Sequence, residues 1–300
     1  MKTMPIRNPG FKFSKFSVKQ LKVLTWWKHS STKSNEAIIC DGSVRAGKTL
    51  IMSLSFVMWS MDSFSDEQFG MAGKTIGSFR RNVVRPLKRM LRGRGYKVQD
   101  HRSENILEIS KDGVTNNYFV FGGKDEASQD LVQGITLAGF FFDEVALMPE
   151  SFVNQAVARC SINGSKLWFN CNPAGPYHWF KLNWLDKLKE KHALHLHFLM
   201  DDNPSLSDAI KARYHRSFTG TFFQRYILGL WVLSEGVIYD NFDKHTMVVS
   251  EPPDECTNYY VSIDYGTQNP TVFLLWGFYR GTWYCLKEYY YDGRHRNKQK

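Results

Sequence analysis

The sequence has little cysteine and no pairing pattern for what it has. Cys40, Cys160, Cys171, Cys256 and Cys285 are scattered, odd in number, and form no C-x-x-C pair. That excludes a disulfide framework and a thiolate zinc site, and it suits a reducing cytoplasm. Long apolar runs are also missing. The longest, residues 50–61, is too short to cross a bilayer, so a helix packed on a sheet is expected there and no membrane association. Lys and Arg near the N-terminus are followed by no apolar segment, which argues against a secretory signal. Acidic residues are outnumbered: 29 Asp and Glu face 39 Lys and Arg, a formal net charge of +10. That sign suits a polyanionic partner, nucleic acid above all, although a merely soluble basic protein shares it. What the chain does have is apolar mass. With 43% hydrophobic and 15% aromatic residues over 300 positions, it can bury a large core, as two domains or one large α/β domain with an appendage.

One stretch organises the rest. Asp41 is followed by Gly42, Ser43, Val44, Arg45, Ala46, Gly47, Lys48 and Thr49, which fit G-x-x-x-x-G-K-[ST] without a gap. Two glycines let the backbone turn its N–H groups toward phosphate oxygens. Lys48 brings positive charge to the β- and γ-phosphates of ATP, and the Thr49 hydroxyl can ligate Mg²⁺. Residues 37–40 read as a short buried strand before the loop, and 49–61 as a helix whose N-terminus faces the phosphates.

The segment 139–142 is an apolar strand ending in Asp143 and Glu144, expected beside the phosphate-loop strand. Asp143 would hold Mg²⁺, and Glu144 would orient and activate the attacking water. Residues 166–170 form another short strand, whose terminal Asn170 either senses the γ-phosphate or, with Asn172, caps a turn. Gln20 precedes the loop by a distance at which nucleic-acid motors place an adenine-contacting glutamine. An ordinary surface Gln fits as well.

Elsewhere the spacing predicts a helix over 17–28, a core strand over 74–79, a basic helix over 80–92 facing DNA or solvent, and a hairpin of 104–110 with 114–121. A helix over 177–191 and a strand over 195–199 follow. His192, His195 and His197 invite a metal, but no nearby carboxylate or Cys pattern completes a site. Two helices over 206–229, a change of character over 229–239 and Pro252-Pro253 lead to strands at 259–267, 271–279 and 282–289. The first of these carries Asp264 near its end, as RNase H-like nucleases begin, where an Asp helps hold catalytic metals.

In order and spacing, these motifs resemble the large subunit of tailed-bacteriophage terminases, especially those from phages of Gram-positive hosts. The resemblance covers nearly the whole chain. It is carried by the phosphate loop, by Gln133-Gly134-Ile135-Thr136 leading into Phe142-Asp143-Glu144, by Asn170-Cys171-Asn172-Pro173 and by Asp202-Asn203-Pro204-Ser205-Leu206. Gly229-Leu230-Trp231 with Gly236 and Tyr239, and Ile263-Asp264-Tyr265-Gly266, complete it. It implies an ASCE-type P-loop NTPase, a mostly parallel sheet with flanking helices, over 1–235. A linker over 236–258 and the first part of an RNase H-like nuclease over 259–300 would follow. Asn170 becomes the residue coupling hydrolysis to movement, and Arg45 the extra basic residue of the loop. Arg159 becomes an unassigned candidate for a trans-acting or sensor arginine, and Asp264 the first nuclease ligand for Mg²⁺ or Mn²⁺.

The implied activity is ATP hydrolysis driving double-stranded DNA into a procapsid, with metal-dependent cleavage. The implied partners are a small terminase subunit and a portal protein, on which copies of the chain form a homo-oligomeric ring. The implied place of work is the cytoplasm of the infected bacterial host, with the protein absent from the mature virion. Family members run further, so the nuclease is expected to be incomplete here; Glu288 and Asp292 do not stand where its other carboxylates are expected. Another DNA-dependent P-loop ATPase, of helicase or repair type, and an inactive truncated remnant are the alternatives.

Overall fold

Apolar residues at successive positions, not alternate ones, mark the strands at the centre of this molecule, as burial on both faces requires. The computed structural model describes residues 15–233, 244–253, 255–266 and 270–291. The chain divides into two compact units, Met1–Val237 and Ile238–Lys300. Residues 234–243, which hold Gly236 and Tyr239, lie outside the described residues, as do Thr267 and Asp292.

The first unit contains β1 (Ala37–Gly42), β2 (Gln68–Gly73), β3 (Lys97–His101), β4 (Ile106–Lys111), β5 (Val114–Gly122), β6 (Gly139–Asp143), β7 (Lys166–Asn170) and β8 (Ala193–Phe198). Its helices are α1 (Val18–Thr25), α2 (Lys48–Ser63), α3 (Ile76–Phe79), α4 (Arg85–Arg92), α5 (Glu150–Arg159), α6 (Trp179–Asn183), α7 (Asp208–Ser217) and α8 (Gly220–Tyr226). The strands form one sheet in the order β3-β4-β5-β2-β6-β7-β1-β8. From β5 to β8 all pairs are parallel; β3 and β4 extend the edge as antiparallel strands.

Alternate residues of the central strands serve opposite faces. Ile38, Met71, Phe141 and Trp168 pack with α1, α2 and α4, whereas Ile39, Phe140, Phe142 and Phe169 pack with α5 and α6. Trp168 is the keystone of the first face. It is fully buried, its ring centroid lies 4.9 Å from Trp26, 5.1 Å from Phe56 and 4.7 Å from Trp59, and its Nε1–H donates to Ser55 Oγ at 3.2 Å. Trp168→Ala is expected to cost about 3–5 kcal/mol. Urea unfolding of the first unit would measure it, and a cost below about 1 kcal/mol would mean that the site collapses around the gap.

Three expectations from the sequence change. The strand expected over 74–79 is β2, placed earlier. Thr75 caps a helical turn there, its Oγ1 accepting from the Ser78 N–H at 3.2 Å. The helix expected over 177–191 is cut short at α6, because Trp184 leaves helical geometry at φ −126° and ψ −59°; a separate turn follows at Leu185–Lys187. The strand ending in Asp143 does not lie beside the phosphate-loop strand. Strand β7 stands between them, with Asn170 level with Cys40 on one side and Asp143 on the other.

The second unit holds the short helix α9 (Lys244–Met247) and the antiparallel strands β9 (Asn258–Asp264), β10 (Thr271–Tyr279) and β11 (Thr282–Tyr291), with β10 in the middle. Three strands are there as the sequence indicates.

Candidate nucleotide site

The segment after β1 is wound to point amides inward. Arg45 (φ +60°) and Gly47 (φ +84°) are both left-handed, and Gly47 opens α2 as its N-cap without a capping side chain. The amides at the loop's entry are used: Ser43 N–H donates to the Phe198 carbonyl (2.8 Å) and Val44 N–H to the Tyr226 carbonyl (2.9 Å). Among the described residues, those of 45–49 donate to no protein group. Unsatisfied amides at a helix N-terminus, in a loop wound through two left-handed residues, form an anion cradle.

Lys48 lies folded into this cradle and is buried. Its ammonium donates to the carbonyls of Gly42 (3.1 Å) and Ser43 (2.6 Å) and to Asn172 Oδ1 (3.1 Å). All three partners are neutral, and burial pushes the ammonium pKa down to about 8. A cation so desolvated is matched by an anion delivered to the loop.

Across the site, Asp143 ends β6. The Thr49 hydroxyl donates to its Oδ1 at 2.8 Å, and the Asn170 amide donates both to that carboxylate and to Thr49 Oγ1 (2.8 Å). Burial dominates the Asp143 carboxyl and pushes its pKa up to about 6 against these hydrogen bonds. Glu144 follows in left-handed backbone, at φ +60°. Among the described residues its half-buried carboxylate has no hydrogen-bond partner. Two buried polar atoms, Ser43 Oγ and Asn170 Oδ1, have none either.

Gln20 is buried against the loop. Its Oε1 accepts from the Ser17 N–H (3.1 Å), closing the α1 capping box, and its Nε2 stands 3.1 Å from where a Cβ on Gly47 would be. Arg159 is elsewhere. Its carbonyl accepts from Leu137 N–H (2.9 Å), two residues before β6 begins, whereas the site lies where β6 ends. The length of β6, about 13 Å, thus separates the Arg159 backbone from the site. Asp264 ends β9 in the second unit, exposed, and belongs to no cluster of three metal-ligating side chains among the described residues.

Sequence reasoning missed several contacts. Asn203 Nδ2 donates to the Arg45 carbonyl (2.8 Å), and Arg45 Nε donates to Tyr214 Oη (2.9 Å). The carboxylate that the histidines were expected to lack is Asp41, one residue before the loop. His195 and His197 both meet its Oδ1, at 2.8 and 2.9 Å, and Trp231 Nε1–H donates to its Oδ2 at 2.8 Å. His192 lies apart, near Glu36.

The family model described as terminase large subunit, T4likevirus-type, N-terminal, matches residues 39–245, more than half of the chain. The chain belongs to the large-subunit family of phage terminases. Its fold and sequence are similar to the large terminase of a thermophilic bacteriophage, with 67% identity over 96% of this chain and 71% of that one, at a TM-score of 0.72. The same thermophilic phage protein in complex with ADP matches at 66% identity over 95% of this chain and 71% of that one, TM-score 0.72. The HK97 bacteriophage large terminase shares the fold at 12% identity, over 93% of this chain and 63% of that one, TM-score 0.60. No curated protein matches the chain. This terminase large subunit carries the ATPase domain of a phage DNA-packaging motor. No helix among the described residues is long and apolar enough to cross a membrane.

Proposed function

We propose that this terminase chain hydrolyses ATP at the loop of residues 42–49 and uses the cycle to move double-stranded DNA into a procapsid. The observation that carries this reading is the convergence of unsatisfied loop amides, the buried Lys48 ammonium and the Asp143–Thr49–Asn170 cluster. Phosphates would lie on the amides of residues 45–49, with Lys48 turning from its carbonyl partners to the β- and γ-oxygens. The ADP complex of the thermophilic phage relative supports a nucleotide there. Asp143 and Thr49 supply hard oxygen donors, and the Asp143 carboxylate is buried among neutral partners, so the pair fits Mg²⁺. When bound, Mg²⁺ would neutralise negative charge on the phosphates.

Glu144, with no competing partner, is placed to hold and deprotonate the attacking water. Asn170 touches both Thr49 and Asp143, so it changes partner when the γ-phosphate leaves, which is the coupling role. Gln20 contacts the adenine side of the site, and Arg45 the phosphate side. Asp264 is the first metal ligand of an RNase H-like nuclease in the second unit, for Mg²⁺ or Mn²⁺.

DNA has a candidate surface. Arg81, Arg85, Arg89 and Arg92 line one groove, and none of the four has an acidic partner among the described residues. Three neighbours in that groove instead pair with Asp100 of β3: Arg80 (2.7 Å), Lys88 (2.8 Å) and, more loosely, Arg102 (3.8 Å). The spacing of four, four and three residues puts their backbone positions about 5–6 Å apart along the helical segment of residues 80–92, which suits a run of phosphates. Changing Arg81, Arg85 and Arg89 together to Ala should weaken DNA binding and flatten the slope of log K against log salt by roughly 3. An unchanged slope in a salt titration would place the DNA elsewhere. Family membership supports the remaining partners: a small terminase subunit, a portal protein and further copies of the chain in a ring, in the cytoplasm of the infected host.

A further inference from the structure

The cluster around Asp41 has a proton count that singles out one residue. His197 Nδ1 lies 2.9 Å from Asp41 Oδ1, and its Nε2 lies 3.3 Å from the Leu228 carbonyl oxygen. Both neighbours are acceptors only. A neutral imidazole carries one N–H and one lone pair, so one of these contacts would set lone pair against lone pair. Two N–H groups satisfy both. His195, whose Nε2 lies 2.8 Å from the same Asp41 oxygen, needs only one.

A cation in place of the Nδ1 proton would meet the same count. The distances decide against it. Ligand atoms around a tetrahedral ion with bonds of about 2.0–2.1 Å stand about 3.3 Å apart. The two nitrogens here lie 2.8 and 2.9 Å from the oxygen, the spacing of N–H···O bonds.

The bonds made by this ring span the loop and what covers it. Asp41 ends the approach to Gly42, and Leu228 belongs to the chain leaving α8. That chain is pressed on the loop: a Cβ on Gly229 would fall 2.7 Å from Gly42 Cα, 2.8 Å from the Ser43 nitrogen and 2.8 Å from His197 Cε1. Gly229 also has φ +68°, so only glycine fits. Val44 N–H to the Tyr226 carbonyl and Trp231 Nε1–H to Asp41 Oδ2 fasten the two ends of the same stretch.

We propose that His197 is the imidazolium that pins residues 226–232 to the phosphate loop, making it a positioning residue whose proton sets how tightly that segment is held. The inference rests on the loop being the nucleotide site for its functional meaning, but not for its test. Other charged and titratable groups face the cluster. Lys19 of α1 donates to the His197 carbonyl (2.8 Å) and pairs with Asp202 (2.7 Å); Lys48, Cys40 and Cys171 adjoin Asp41. Burial pushes both thiols up, so they stay protonated. The hydrogen bond to Asp41 raises the His197 pKa, against burial and the Lys19 charge. Because the folded pKa is raised, the latch is fully present below about pH 6.5, the unfolded value, and is lost as pH rises through the raised one.

Hydrogen exchange of the full chain without nucleotide tests this, read on peptides covering Val44 and residues 226–232 and corrected for intrinsic rates. Exchange should become about tenfold faster as pH rises past the His197 midpoint, the loss of one charged hydrogen bond. His197→Gln should abolish the pH dependence, while His195→Gln should keep it. Side-chain ¹⁵N NMR of the unmutated protein below the midpoint should show both His197 nitrogens protonated. A flat exchange profile, the same midpoint in His197→Gln, a singly protonated His197 ring, or stoichiometric zinc in the purified protein would each overturn the assignment. None of these readouts needs ATP turnover, so failure here leaves the ATPase reading to be judged separately.

Discussion

Lys48→Ala is expected to lower ATP turnover by about 10²–10³-fold, the loss seen when a preorganised transition-state charge partner is removed. The apo protein should not pay for this in stability. The ammonium is buried among neutral acceptors, and burial pushes its pKa down to about 8, so its removal relieves a desolvated charge. The variant should therefore keep or raise its apo melting temperature while losing the upward shift that ATP produces in the parent protein. Unchanged turnover would remove the loop from the chemistry. Lost turnover with a large drop in the apo melting temperature would make Lys48 a structural residue.

Glu144→Gln should behave differently. Turnover should fall about 10²–10⁴-fold through kcat, with nucleotide affinity retained, because a general base acts on water and not on phosphate binding. Two features single this residue out. Its backbone is left-handed, a conformation that costs a non-glycine residue of order 1–3 kcal/mol and persists where the surroundings enforce it. Its carboxylate also makes no hydrogen bond among the described residues. Equilibrium binding of a non-hydrolysable ATP analogue, beside steady-state kinetics, separates the outcomes. A fall in affinity that matches the fall in turnover would make Glu144 part of the binding surface instead.

Where the sequence could be read and where it could not follows from locality. The loop is legible because phosphate binding fixes residue types at fixed spacing within eight positions, and Asp143-Glu144 because both carboxylates end one strand. β2 was missed because Gln68-Phe69-Gly70-Met71-Ala72-Gly73 has two glycines and little branching. Its extended form is imposed by β5 and β6 on either side. The place of β7 between β1 and β6 is a fact of strand order, which no local window contains. The Asp41 cluster is the extreme case: its partners lie 154, 156 and 190 residues away in the chain. The alternating His195 and His197 were visible as a pair, but the residue they serve was hidden within the best-recognised motif.

The sheet order has a mechanical consequence. Strand β1, which carries the loop, is six places from β3. At about 4.8 Å per strand that is about 29 Å of unbroken hydrogen-bonded ladder. Asp100 of β3 grips Arg80 and Lys88, so the free arginine stripe is fixed at the far end of this span. A rocking of about 5° about the loop would swing that end through about 2.5 Å, a large fraction of the roughly 3.4 Å rise of one base pair. On the proposed reading of the two sites, such an arc at the arginine stripe would be a stroke on the scale of DNA's own repeat.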